Sequence, residues 1–164
     1  MQIAIISDTH DNYKNLIKAL TLINQNKVSA LIHCGDVTSL DTLKIIIENF
    51  NNPIYLSLGN GDDQQIFFNF LNKNKNLNLN IFSDFGQFNI ENIKIGLTHF
   101  PDFIKNHLIN NFDFIFYGHT HKPWEEKINN TIVLNPGNIA GILYRPSFAI
   151  LDIKSLKRKL VIVE

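Results

Sequence analysis

The stretch Gln2-Ile3-Ala4-Ile5-Ile6-Ser7-Asp8-Thr9-His10, residues 2–10, decides the fold. It begins as an apolar run rich in isoleucine, the pattern of a strand buried on both faces in a parallel sheet. It then turns abruptly to Asp and His. Working outward, Ala30 to Cys34 and Ile54 to Leu58 repeat the apolar pattern. Between these runs, Asn12 to Asn24 carries Leu16, Ile17, Leu20 and Ile23 at helical spacing, and Ser39 to Asn49 carries Leu43, Ile46 and Ile47 in the same way. Asn12 and Ser39 have the residue types of N-caps. The chain therefore opens β-α-β-α-β, a doubly wound beginning.

Gln64 to Leu71 reads as a third helix that ends in an Asn/Lys-rich loop, Asn72 to Asn80. That loop is expected to be solvated, since Asn favours turns. Ile81-Phe82, Gly86 to Ile90 and Ile93 to Leu97 read as short strands, the last two joined by a turn at Glu91-Asn92. Asp102 to Asn110 predicts a helix and Phe114 to Tyr117 a strand. Further strands follow at Glu125 to Ile128, Thr131 to Leu134, Ser147 to Ile153 and Leu160 to Val163, with Asn129-Asn130 as a hairpin turn. No repeat or linker divides the chain, so one domain with two sheets, residues 1–164, is expected.

Fifteen basic and fifteen acidic side chains give a formal net charge of zero. No overall basic field points to nucleic acid or to an anionic membrane. No stretch approaches the roughly 18 uncharged apolar residues of a membrane helix, and the first residues lack the basic flank of a signal peptide. Cys34 is the single cysteine and cannot form an internal disulfide, so a reducing cytoplasm is the simplest compartment. Oligomeric state is left open, a homo-oligomer included.

Polar residues gather at the C-terminal ends of the predicted strands, where open α/β sheets place their ligands. They are Asp8-Thr9-His10, Gly35-Asp36, Gly59-Asn60-Gly61-Asp62, Thr98-His99 and Gly118-His119-Thr120-His121. In an extended segment, side chains two apart point the same way, so Asp-x-His and His-x-His can each grip one ion. Carboxylate with imidazole suits divalent Mn, Fe, Co, Ni or Zn better than Ca or Mg. Without a thiolate the set does not resemble a structural zinc site. Each dipeptide alone usually marks only a turn; their joint occurrence, each after an apolar run, points to metal binding. His33, inside a strand, and His107, inside a predicted helix, read as structural or solvent-facing.

This ordered set resembles the calcineurin-like metallophosphoesterase family, whose pattern is D-x-H, G-D, G-N-x-D, a single His and G-H-x-H. The resemblance spans nearly the whole chain. The short length, Leu134-Asn135-Pro136-Gly137-Asn138 and Pro146-Ser147-Phe148 look most like the small phosphodiesterase branch. The resemblance implies an α/β fold, a four-layer α-β-β-α sandwich of two mixed sheets flanked by helices. It implies that Asp8, His10, Asp36 and His121 hold one ion and that Asp36, Asn60, His99 and His119 hold the other, with Asp36 shared. The expected cofactors are two divalent ions, Mn2+ first, with Ni2+, Zn2+, Fe2+ and Co2+ also compatible. The nucleophile would be a hydroxide between them, since coordination lowers the pKa of water from 15.7 to about 7. Asp36, Asn60 and His99 are thus the expected catalytic residues, and Asp62 is expected to orient a histidine from outside the ligand set.

Three departures from the family pattern bear on the substrate. Gly61 stands where many larger relatives carry a His that can protonate the leaving group. Phe100-Pro101 follow His99 where the small branch often reads Gly-His. Asn138 replaces a usual Ser, a change in a turn with little expected effect. Arg145, Asn60 and Asn12 are the expected substrate-binding residues, Arg145 as a bidentate phosphate donor. Tyr144, Trp124 and Phe100 are candidates to line the pocket, the last two by stacking a nucleobase.

The expected activity is hydrolysis of a phosphodiester in a small phosphate-ester or nucleotide substrate. A phosphomonoesterase acting on a small metabolite is the nearest alternative, and a nuclease on long DNA is disfavoured by the charge balance. A protein-binding scaffold, as in a retromer subunit resembling the small branch, is a rival of another class. All seven ligand positions here keep the family's residue types, which a scaffold does not require.

Overall fold

The computed structural model describes residues 1–106 and 111–164. In chain order the elements are β1 (Gln2–Ile6), α1 (Tyr13–Gln25), β2 (Ala30–His33), α2 (Leu40–Asn49), β3 (Ile54–Ser57), α3 (Gln64–Lys73) and β4 (Leu79–Phe82). There follow β5 (Phe85–Ile90), β6 (Ile93–Thr98), α4 (Asp102–Asn106), β7 (Phe114–Phe116), β8 (Trp124–Ile128), β9 (Thr131–Asn135), β10 (Ser147–Asp152) and β11 (Arg158–Ile162). The remainder of the helix expected at Asp102 to Asn110, including His107, lies outside the described residues.

Side-chain alternation along β1 builds the layers. Ala4 and Ile6 face the helices and pack with Leu16, Leu20 and Ile23 of α1, Leu43 and Ile46 of α2, and Phe67 of α3. Ile3 and Ile5 face the other way and meet Ile95 and Leu97 of β6, Phe114 and Phe116 of β7, and Leu134 of β9. An apolar residue at every position is therefore required, as a strand buried on both faces demands. Full burial of each such aliphatic side chain contributes about 1.5–3 kcal/mol. On the outer side of the second sheet, Ile104 of α4 joins Phe112, Ile115, Tyr117 and Val133. The result is the α-β-β-α sandwich.

The first sheet runs β11-β10-β1-β2-β3-β4 and the second β5-β6-β7-β9-β8. Both are mixed: β1 to β4 are mutually parallel, β10 pairs antiparallel with β1 and β11 antiparallel with β10, and β6, β7 and β9 are flanked antiparallel by β5 and β8. Asn12 and Ser39 cap their helices by accepting from the Asn15 and Thr42 N–H, and Asp63 caps α3 through the Ile66 N–H. No helix among the described residues is long and apolar enough to cross a membrane.

The Asn/Lys stretch is not wholly a solvated loop. Its first residues finish α3, and Leu79 and Asn80 open β4, which pairs in parallel with β3. Leu79 is buried in the helix-side core and Leu77 packs against it. Two leucines among the asparagines carry this, and burial overrides the local turn preference.

Candidate metal centre

β1, β2, β3, β6 and β7 all end on one rim, and the expected ligand residues lie just beyond those ends. The loop after β1 is threaded onto the loop after β2 by backbone bonds. Asp8 N–H donates to the Gly35 carbonyl at 2.9 Å, while Thr9 and His10 N–H donate to the Asp36 carbonyl at 2.9 and 3.2 Å. Candidate ligand residues from distant parts of the sequence are thereby held next to one another by the backbone.

These residues do not converge from extended segments. Asp8, His10, Asp36, His119 and His121 have φ of 51°, 43°, 56°, 67° and 59°. Such values are uncommon outside glycine, with Asn, Asp and His enriched among the exceptions. The strands end at Ile6 and Phe116, before both His-containing motifs. Left-handed turns, not strand alternation, aim the side chains, and the surrounding hydrogen bonds sustain a backbone costing about 1–3 kcal/mol per such residue.

Two groups of donor atoms form. In the first, His121 Nε2 lies 3.3 Å from Asp8 Oδ1 and 3.3 Å from His10 Nε2, and His10 Nε2 lies 3.8 Å from Asp8 Oδ1 and 3.6 Å from Asp36 Oδ2. In the second, His99 Nε2 lies 3.6 Å from Asp36 Oδ2, 3.3 Å from Asn60 Oδ1 and 3.2 Å from His119 Nδ1. Donors about 2.0–2.1 Å from one ion sit roughly 3.0–3.5 Å from one another, so both groups have a fitting spacing. Asp8 Oδ1 is buried and makes no hydrogen bond, a state that normally costs free energy and needs an explanation such as an ion. The chain thus carries Asp/His groups that could bind metal: Asp8 with His10 and His121, and Asp8 with Asp36 and His99.

Asp36 joins the two groups. Its Oδ1 accepts from the Gly61 N–H at 2.7 Å, which leaves Oδ2 facing both His10 and His99. His99 Nδ1 lies 2.8 Å from the Cys34 carbonyl. A carbonyl only accepts, so Nδ1 carries the proton and Nε2 presents its lone pair to the centre.

Burial alone would raise the Asp8 pKa, but the closeness of the His121 imidazole and of the Ser7 hydroxyl holds it below the ordinary carboxylate value. Conversely, the Asp8 carboxylate raises the His121 pKa, with burial opposing.

Asp62 has a different task from the one expected. Its carboxylate accepts from the N–H groups of Asp36, Thr38 and Gly59 at 2.9, 2.7 and 2.8 Å, and no hydrogen bond among the described residues joins it to a histidine. It clamps the loops after β2 and β3 together by their backbones, and burial raises its pKa despite those bonds. Asn138 is likewise more than turn filler. Buried, it donates to the His121 carbonyl and accepts from Gly141 and Ile142. Sequence reasoning also passed over Asp11, which accepts from Ser39 Oγ at 2.6 Å and from Thr42 Oγ1, tying the His10 loop to α2.

His33 is structural, as expected. The Gly35 N–H donates to its Nδ1 at 3.2 Å, so Nε2 carries the proton and donates to Thr9 Oγ1 at 2.8 Å. Burial pushes its pKa down to about 3. As pH falls from about 6.5 toward about 3, the unfolded chain takes up a proton that the folded chain refuses. Stability of the metal-free protein should therefore fall with acid by up to about 1.4 kcal/mol per pH unit from this residue. Urea unfolding of metal-free wild type and His33→Gln at pH 7 and pH 5 checks this. The stability gap between them should narrow at pH 5; parallel curves would refute it.

Among the expected substrate-binding residues, Asn60 sits beside His99, whereas Asn12 caps α1 and donates to the Ala140 carbonyl at 2.9 Å. The Arg145 guanidinium lies in solvent 3.0 Å from Glu164 Oε1, and no described contact brings it to the ligand groups. Phe100 packs on His99 and His119, with ring centroids 4.8 and 5.2 Å away. Trp124 does not join it: it lines a cavity of about 270 Å³ with Leu134, Ala149, Arg158 and Leu160, under the Lys122 ammonium.

Residues 1–156 match the calcineurin-like phosphoesterase superfamily domain. A phosphodiesterase of Methanocaldococcus jannaschii is 34% identical over the full length of both chains. The solved structure of an archaeal phosphodiesterase superposes with a TM-score of 0.88 at 33% identity, covering 99% of each chain. Vacuolar protein sorting 29 from Cryptosporidium parvum shares the fold, with a TM-score of 0.68 at 20% identity over 98% of this chain and 95% of that one.

Proposed function

We propose that this chain, which belongs to the calcineurin-like phosphoesterase superfamily and is a phosphoric ester hydrolase, is a two-metal phosphodiesterase acting on a small phosphate-ester or nucleotide substrate. The observation that carries the ester class is the full-length relative that is a phosphodiesterase. The two-ion reading is supported by the single Asp36 oxygen lying 3.6 Å from a histidine of each donor group.

In this reading Asp8, His10, Asp36 and His121 hold one divalent ion, and Asp36, Asn60, His99 and His119 hold the other, Mn2+ being the first candidate. Bound there, the ions would supply a water of low pKa and neutralise charge on the phosphoryl oxygens. The chain's own residues do the rest. The buried Asp8 and Asp36 carboxylates would balance the cationic charge of such ions. The Cys34 carbonyl fixes the His99 tautomer. The Asn60 carbonyl oxygen faces His99, which turns its amide N–H groups outward, where they can donate to a non-bridging oxygen of the substrate. Gly61 has no side chain to protonate a leaving group, so esters of acidic alcohols or phenols should react fastest. Buried Cys34 makes no demand on an oxidising compartment, in keeping with a cytoplasmic location.

The test is direct. Protein loaded with Mn2+ or Ni2+ should hydrolyse bis(p-nitrophenyl) phosphate, lose that activity to a chelator and regain it on metal addition. Calorimetric titration should find two ions per chain. Well-metallated protein inert on diesters and monoesters alike would sink the reading.

A further inference from the structure

Beside the donor groups, the loop after Asn138 displays apolar surface to solvent. Leu143 is 86% exposed, and Ile142 and Tyr144 are also open. The segment is well tied. Asn138 accepts from the Gly141 and Ile142 N–H groups at 2.6 and 2.9 Å while donating to the His121 carbonyl at 3.1 Å. The amides of Asn12 and Asn15 hold the carbonyls of Ala140 and Ile139. The Tyr144 N–H donates to the Ile142 carbonyl at 2.8 Å across Leu143, whose φ is 66°. That is the γ-turn of positive φ, the rare and strained kind.

Folding gives no reason for leucine here. The side chain gains nothing from burial, and glycine would adopt this backbone without strain. The position relative to the centre supplies one. The Asn138 amide bridges the Ile142 N–H to the carbonyl of His121, whose imidazole is 3.3 Å from both Asp8 and His10. Leu143 thus leaves the backbone one residue past the wall of the centre.

We propose that Leu143 is a specificity-determining residue that packs against the organic group a phosphodiester retains on phosphorus, favouring bulky apolar or aromatic retained groups. This rests on the phosphodiesterase reading above. The strained turn holds the side chain out, and the Asn138 hydrogen bonds tie the backbone before it to that of His121.

Two esters with the same leaving group isolate the effect: phenyl p-nitrophenyl phosphate and methyl p-nitrophenyl phosphate. Wild-type metal-loaded protein should prefer the phenyl ester. Leu143→Gly should cut that preference in kcat/KM by about tenfold, leave methyl-ester turnover unchanged, and keep or raise the thermal midpoint because the turn relaxes. Leu143→Met should retain the preference. Unchanged selectivity in Leu143→Gly overturns the proposal alone, as does an equal loss on both esters. The same holds if selectivity is unchanged while sedimentation shows a self-associated form lost. A wild-type protein inert toward both esters overturns the diester reading and the proposal together.

Discussion

Replacing Asp36 with asparagine or alanine should lower diester hydrolysis by about 10⁴-fold or more, the scale seen when a group acting as one unit loses a central member. Asp36 Oδ2 is 3.6 Å from both His10 Nε2 and His99 Nε2. A neutral residue there removes negative charge from both donor groups at once. Asparagine is the sharper probe. Its carbonyl oxygen can keep the Gly61 N–H bond that Oδ1 now makes at 2.7 Å, while its NH₂ turns two donors toward His10 and His99, where an acceptor is needed. The fold should survive, because Asp36 N–H remains clamped by Asp62. Calorimetry should find at most one ion in Asp36→Asn. A variant that binds two ions and turns over at the wild-type rate would remove Asp36 from the centre.

Much of this arrangement could be read before the structure. Ile3 and Ile5 against Ala4 and Ile6 announce a strand buried on both faces, and the sheet uses both. The residue types after each apolar run named the candidate donors, because few side chains suit a divalent transition-metal ion, and the structure brings these residues together. What escaped was decided by contacts between loops far apart in sequence. Asp62 accepts from backbone groups of Asp36 and Thr38, which lie 26 and 24 residues away; nothing local to the G-N-x-D stretch distinguishes that from orienting a histidine. Asn138 resembles any polar turn residue until His121, Gly141 and Ile142 surround it. The left-handed backbone at Asp8, His10, His119 and His121 was only partly legible. Asp and His tolerate it, yet the isoleucine run before Asp8 suggested that the strand continues.

Those same close approaches give the last large effect, at a residue that is not itself a donor. A Cβ at Gly59 would lie 2.2 Å from Asp36 Oδ1 and 2.7 Å from the Asp36 backbone nitrogen. The carboxylate cannot swing away freely, since Gly61 N–H holds Oδ1 and the Asp62 clamp holds the Asp36 and Gly59 N–H groups. Gly59→Ala must therefore separate the loops after β2 and β3 or rotate the Asp36 carboxylate, and either displaces Oδ2. A misplacement on the order of 1 Å can cost about 10²-fold in rate, so Gly59→Ala should lose at least that much activity and bind metal more weakly with every ligand present. Gly61→Ala is the matched comparison. Its Cβ would meet the same Oδ1 at 3.1 Å, a contact that a shift of a few tenths of an ångström relieves. It should keep activity within about tenfold of wild type. Equal losses in the two variants, read as kcat/KM on bis(p-nitrophenyl) phosphate alongside metal titration, would show that Gly59 does not act through Asp36. A large loss confined to Gly59→Ala would place the fit between the β2 and β3 loops among the requirements of the metal centre.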